Sequence, residues 1–231
     1  MRKAMAQLNA LLAQGLKVEA KNLERLVSPL LLAATLLVLF AFAVGGGLDQ
    51  EALVRLYVAE TYLTAFLALQ ISFARAFEPD TQDKVYDLLR TYPINPFAWF
   101  LGKYLQVLAT GAAILLPTMA FAVFFHGEAK VSLSLGSVAI ALLALVGLAA
   151  LGAVLSLMTM GSSARQILYP ILYFPLTTPV LLAAVEATRS HVMDGVPVAA
   201  MFSSWLGLLL IFDIIYLTLG MLIFAELVKP D

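Results

Sequence analysis

Residues 131–164 read VSLSLGSVAIALLALVGLAALGAVLSLMTMGSSA, a run of 34 residues without a charged side chain. A helix needs about 20 apolar residues to cross a hydrocarbon core roughly 30 Å thick, whereas a tilted barrel strand needs only about 10. Helices and closed barrels are the structures that satisfy their backbone polar groups in lipid. The run is too long for a barrel strand and too short for two helices with a turn, which need about 40 residues. It therefore predicts one tilted membrane-spanning helix with interfacial ends.

Five further apolar segments bring the predicted number of membrane spans to six. The composition agrees, because 62% of the 231 residues are hydrophobic and 13% are charged, against about 45–50% and about 25% in soluble domains. This composition excludes a soluble globular protein and a disordered one. The predicted fold class is an all-α polytopic membrane protein with six transmembrane helices. The predicted spans are about 26–48, 55–75, 101–126, 131–161, 165–185 and 202–227.

The distribution of Lys and Arg predicts the orientation of the chain. Cytoplasmic loops of membrane proteins carry an excess of these residues. With six spans and both termini in the cytoplasm, eleven of the fourteen cations lie in cytoplasmic segments. Only Arg55, Lys130 and Arg189 remain outside. We therefore expect a polar N-terminal segment, residues 1–25, and a transmembrane domain, residues 26–231, with N- and C-termini cytoplasmic.

The N-terminal segment has the pattern of an amphipathic helix. Met5, Leu8, Leu12 and Leu16 recur at helical spacing, with cations and amides elsewhere around the helix. Such a helix lies in the membrane interface with its apolar side toward the acyl chains. It either anchors the first span or also acts as a lever that contacts a cytoplasmic partner.

A second cytoplasmic segment, residues 77–93, reads FEPDTQDKVYDLLRTYP and joins spans two and three. Prolines bound it, acidic residues in the first turn favour the helix dipole, and apolar residues recur at i, i+3, i+4 and i+7. We predict a short cytoplasmic helix at about residues 80–92. It either docks into a groove on a soluble subunit or lies on lipid, and its acidic residues favour docking. The predicted contact residues are Glu78, Asp80, Asp83, Val85, Leu88, Leu89 and Tyr92.

No catalytic motif occurs in the chain. It has no G-x-x-x-x-G-K-[ST] phosphate loop, no H-E-x-x-H, no G-x-S-x-G and no cysteine. The net charge of −1 does not favour nucleic-acid binding. His126 and His191 fall in predicted outer loops, where histidines are usually solvated. We therefore expect no enzyme activity, no metal site and no nucleic-acid partner.

Two carboxyl groups fall inside predicted spans, Glu60 in the second and Asp213 in the sixth. Intramembrane acids are expensive and often functional, so a proton or substrate path is one interpretation. The other is a neutral acid hydrogen-bonded to Ser, Thr or Tyr on a neighbouring helix. We favour this packing role for Glu60, while for Asp213 both interpretations stay open.

Small residues and prolines predict how two of the spans pack. A small-residue stripe on the fourth span lets another helix approach closely. Two prolines in the fifth span remove backbone donors and predict a kink. The stripe is Ala149, Gly152, Ala153 and Ser156, and the prolines are Pro175 and Pro179.

Two stretches resemble the haem-exporter protein B family of bacterial cytochrome c maturation. Residues 73–93, FARAFEPDTQDKVYDLLRTYP, are similar to the acidic segment of that family. Arg165 and the following PLTTP motif, residues 175–179, are similar to its fifth-span signature. The length and the six spans also fit the family, so the resemblance covers essentially the whole chain.

The resemblance implies the permease subunit of an ATP-binding-cassette complex in the bacterial inner membrane. The chain would form a homodimer with two copies of a cytoplasmic ATPase, and residues 78–92 would be its coupling helix. The ATPase would bind ATP and Mg²⁺. A haem-handling membrane protein and a periplasmic haem chaperone are the further implied partners, so this chain would itself bind no cofactor. Alternatives are a lipid or drug exporter of the same architecture, an ATP-independent secondary transporter, and a structural scaffold.

Overall fold

The computed structural model describes residues 2–43, 48–81, 91, 94–126, 133–160, 162 and 164–228. These ranges are almost entirely helical and contain no strand, which confirms the predicted all-α class. A 3-10 helix, Val198–Ser203, precedes the last α-helix. The α-helices are α1 (Arg2–Lys21), α2 (Glu24–Ala43), α3 (Gln50–Ala74), α4 (Glu78–Thr81), α5 (Pro96–Phe125), α6 (Leu135–Thr159), α7 (Arg165–Met193) and α8 (Trp205–Leu227).

Six of these helices, α2, α3, α5, α6, α7 and α8, are long and apolar enough to cross a membrane. The predicted number of transmembrane helices is therefore confirmed. Within the described part of the uncharged run there is one helix, α6, which begins after its N-cap residue Ser134. The Ser134 hydroxyl accepts the backbone N–H of Ser137 at 3.0 Å and satisfies one free donor of the first turn.

Helix α7 extends to Met193, well beyond the predicted end at residue 185. The added turns hold an ion pair between Glu186 and Arg189, with an O–N distance of 2.8 Å. Oppositely charged side chains three residues apart stabilise a helix. This local pairing stabilises the turns that continue past the apolar segment.

The central helix is α6, which packs against α5, α7 and α8. Its predicted stripe of small residues is buried. A Cβ atom built on Gly152 would lie 2.7 Å from Cδ2 of Phe73, and one built on Gly111 of α5 would lie 2.9 Å from its Cζ. The Phe73 ring of α3 therefore occupies a space that two glycines leave open, which fixes the end of α3 against α5 and α6.

The prolines of α7 do not end the helix, which is continuous from Arg165 to Met193. Pro175 and Pro179 withhold donors from the carbonyls of residues 171 and 175. The Thr177 and Thr178 hydroxyls donate to the carbonyls of residues 173 and 174, at 2.8 and 2.9 Å, which are different carbonyls from the two that the prolines leave free. The kink at the two prolines stays a prediction.

We expect Gly152→Ala to lower the free energy of unfolding by about 1–3 kcal/mol, because the new methyl group would overlap the Phe73 ring. Equilibrium unfolding in mixed detergent micelles would measure this loss. Leu142→Ile, on an exposed part of the same helix, is the control and should change stability little. Equal stability of the two variants would contradict the tight contact between α3 and α6.

Candidate functional site

The inner end of the bundle, the end predicted to face the cytoplasm, carries a concentration of paired charges. These charges surround the turn at residues 75–77, which links α3 to α4. Backbone hydrogen bonds hold the turn, such as the one from the N–H of Glu78 to the carbonyl of Arg75 at 3.1 Å. Three acids and three cations from five helices meet around this turn. We call them the inner charge cluster: Glu19, Arg25, Glu78, Asp80, Lys103 and Arg165.

Glu78 lies between two arginines from different helices. Its Oε2 is 3.0 Å from Nη2 of Arg25, in the first turn of α2, and its Oε1 is 3.9 Å from Nη1 of Arg165, the first residue of α7. The Glu78 side chain is 42% exposed, whereas those of the arginines are 16% and 18% exposed. The carboxylate therefore joins the start of α4 to α2 and α7 at the edge of the bundle.

Asp80 forms the shortest ion pair of the cluster, 2.6 Å from Oδ2 to Nζ of Lys103 on α5. The Lys103 side chain is 6% exposed, and its ammonium lies 4.6 Å from the centre of the buried Phe77 ring. A buried ammonium is costly unless it is paired, and it is also attracted to an aromatic face. Asp80 and Phe77 together supply both interactions and hold α4 against α5.

Two carbonyls where α3 ends, those of Ala74 and Arg75, accept side chains from other helices. The last four carbonyls of a helix lack intrahelical partners. Ala74 O accepts the hydroxyl of Ser156 on α6 at 3.2 Å and also the guanidinium of Arg165. Arg75 O accepts Nη2 of Arg25 at 3.2 Å. Helices α2, α6 and α7 thus all hold the point where α3 gives way to α4.

Two of the seven predicted contact residues lie within the described ranges. Glu78 and Asp80 both pair with cations of this chain, so they anchor the start of the predicted coupling helix to the bundle. Their contact with another protein stays a prediction. The other five, Asp83, Val85, Leu88, Leu89 and Tyr92, lie outside the described residues.

Sequence reasoning counted Arg25, Lys103 and Arg165 as markers of orientation and missed their pairing with the acidic segment. Ser156 was predicted to act in helix packing, and it also donates to Ala74 O. The available signal was the position of each cation at the end of an apolar span. That position does not determine which acid the cation meets.

A second contact between polar side chains joins α3 to the outer end of α5. Glu60, which is 2% exposed, meets Nε2 of His126, the residue that follows α5. Nδ1 of His126 lies 3.2 Å from Ala122 O, which can only accept, so Nδ1 is the donor of this contact and Nε2 faces the Glu60 carboxyl group. Burial lowers the pKa of His126. The expected partner of Glu60 was a hydroxyl group, but the structure gives an imidazole.

His191 lies in the last turn of α7, so its predicted loop position was wrong. Its Nδ1 is 2.9 Å from Val196 O and therefore donates, while its Nε2 accepts the Ser134 hydroxyl at 3.1 Å. Nε2 thus holds the N-cap of α6 to the end of α7, while Nδ1 holds the segment that follows α7. Among the described residues, no three His, Asp or Glu side chains are grouped to hold a metal ion.

Asp213 on α8 is 3% exposed and faces Gly147 of α6, where any side chain would overlap the carboxyl group. Neither of its oxygens has a hydrogen-bond partner among the described residues. The close contact agrees with a packing role, and the unpartnered carboxyl agrees with a functional one. Both interpretations of Asp213 therefore remain predictions.

The fold and these paired sites define a multi-pass helical membrane protein in which α5 is bridged to α4 at its inner end and to α3 at its outer end. Residues 6–229 match the family model described as CcmB protein. Over 165 residues the chain is 33% identical to "Heme exporter protein B" of Rhodobacter capsulatus, an alignment that covers 68% of this chain and 72% of the relative. The chain belongs to the CcmB family, and the resemblance in the sequence is confirmed.

We expect Glu60→Leu and His126→Leu each to lower the free energy of unfolding by about 3 kcal/mol, since each leaves a buried polar partner unpaired. The double variant removes both groups and should lose clearly less than the sum. A double-mutant cycle in detergent would measure this difference. Additive losses would show that the two side chains do not interact.

Proposed function

We propose that this chain is the transmembrane, non-catalytic subunit of an ATP-binding-cassette transporter complex for c-type cytochrome maturation. A separate cytoplasmic subunit hydrolyses ATP. The resulting motion drives haem delivery, or the release of a haem-loaded chaperone, on the periplasmic side. Support comes from membership of the CcmB family and from the name of the Rhodobacter relative.

The observation that carries the proposal is the anchoring of the segment between α3 and α5. Its first residues are fixed by Glu78 to α2 and α7, and by Asp80 to α5. A short helix that is anchored in this way at its first residues would move several spans together when a partner protein pushed it. A flexible connection would absorb the same push without moving the bundle.

The proposed complex contains two copies of this chain and two ATPase subunits in the bacterial inner membrane, with both termini cytoplasmic. The predominance of Lys and Arg in the proposed cytoplasmic segments supports this orientation. ATP and Mg²⁺ belong to the ATPase. Haem belongs to a haem-handling membrane protein and a periplasmic chaperone. That division is supported by His126 and His191, whose ring nitrogens already meet groups of this chain.

Substitution in the predicted coupling helix tests the proposal directly. Leu89→Asp places a charge on the predicted apolar docking face, so we expect it to abolish copurification of the ATPase or to uncouple ATP hydrolysis from cytochrome maturation. Leu89→Met, which keeps an apolar side chain of similar volume, should behave as the wild type. Mass spectrometry of the intact complex and ATPase assays give the two readouts.

Three results would contradict the proposal. Normal assembly and normal coupled turnover in Leu89→Asp would remove the role of the segment. Recovery of bound lipid substrate without a haem-binding partner would instead identify a lipid exporter. Solute movement by the purified chain alone, driven by an ion gradient, would identify a secondary transporter.

A further inference from the structure

The amphipathic helix α1 is docked along the inner part of α5. A Cβ atom built on Gly102 of α5 would lie 3.1 Å from Cβ of Leu11, so the glycine lets the two helices approach closely. Near the start of α5, the backbone N–H of Asn95 donates to Oε1 of Gln7 at 3.3 Å. Helix α1 therefore packs at a defined position on the membrane span α5.

The last turn of α1 contributes a buried carboxylate to this contact. Glu19 is 9% exposed. Its Oε1 accepts Nε2 of Gln106 on α5 at 3.2 Å and lies 3.2 Å from Nη1 of Arg25. A buried carboxylate requires such partners because it has lost most of its water. Glu19 thus couples the end of α1 to α5 and to the beginning of α2.

Arg25 extends this series of contacts to Glu78, at the start of the predicted coupling helix. While Nη1 faces Glu19, Nη2 lies 3.0 Å from Oε2 of Glu78 and 3.2 Å from Arg75 O. The rigid, planar guanidinium offers five donors and so spans two carboxylates and a carbonyl at once. A lysine has the same charge but concentrates it at one point.

We propose that Arg25 is a positioning residue that makes α1 part of the unit that moves when the ATPase acts. Through Arg25, Glu78 at the start of the coupling helix is linked to Glu19 of α1. Through Glu19 it is linked to Gln106 on α5. This inference rests on the proposed function. A displacement of α4 then reaches α5 by two routes. One is the direct pair of Asp80 and Lys103, and the other runs through α1.

Loss of the Arg25 bridge should reduce the coupling of ATP hydrolysis to cytochrome maturation and leave hydrolysis itself largely unchanged. Arg25→Gln removes the bridge between two carboxylates but leaves the close contact of α1 with α5. We expect the ATPase subunit still to bind and to hydrolyse ATP within about twofold of the wild-type rate. The yield of mature cytochrome per ATP should fall about tenfold, within the usual range for coupling between sites.

The test uses the full complex with wild-type chain, Arg25→Gln, Arg25→Lys and Lys21→Gln. Lys21 is an exposed cation in the last turn of α1, so Lys21→Gln is the matched control for lost positive charge and should behave as the wild type. Arg25→Lys should restore part of the yield. A merely structural role predicts parallel losses of assembly, hydrolysis and yield.

Glu19→Gln is a second variant that decides the question if Arg25→Gln does not assemble. It removes the negative charge opposite Arg25 but keeps an oxygen that accepts from Gln106, so the yield per ATP should again fall while assembly is kept. An unchanged yield per ATP in an assembled Arg25→Gln or Glu19→Gln complex would overturn the inference, as would an equal fall in Lys21→Gln. Failure of the wild-type chain to copurify with an ATPase would instead contradict the proposed function.

Discussion

A charge or carbonyl that has lost its water must find a partner inside the protein. At the end of α3 this constraint applies several times within a few residues. The carbonyl of Ala74, the carboxylate of Asp80 and the ammonium of Lys103 each take a partner from another helix, and the more exposed carboxylate of Glu78 pairs with two arginines. Helices α2, α5, α6 and α7 meet these requirements, so their inner ends converge on one turn of the chain.

Helices α3 and α5, which flank the predicted coupling segment, are also joined on the outer side of the bundle. At the inner end Asp80 of α4 pairs with Lys103 of α5, and toward the outer side Glu60 of α3 meets His126, the residue that follows α5. The space between is filled by contacts such as Phe73 against Gly111, which leave little room for the helices to slide. Such close packing favours movement of the two helices as one body, which is the mechanical property that the proposed function requires.

Close packing around small residues gives the bundle its specific arrangement. Within lipid, the hydrophobic effect does not drive helices together, so association depends on van der Waals contact and on hydrogen bonds between helices. Gly152 admits Phe73, Gly147 admits the Asp213 carboxyl group, and Gly220 on α8 admits Phe100 of α5. Each glycine receives one particular side chain, which sets how the neighbouring helices fit together.

The sequence by itself determined the fold class and the six long apolar helices, because hydropathy over some 20 residues is a local property that does not depend on neighbours. The segments at residues 73–93 and 165–179 also indicated the family. The pairing of Arg25, Lys103 and Arg165 with the acidic segment, and of Glu60 with His126, was decided only by the tertiary structure. These partners are separated by 23 to 87 residues along the chain, and no local pattern specifies which side chains meet once six helices pack together.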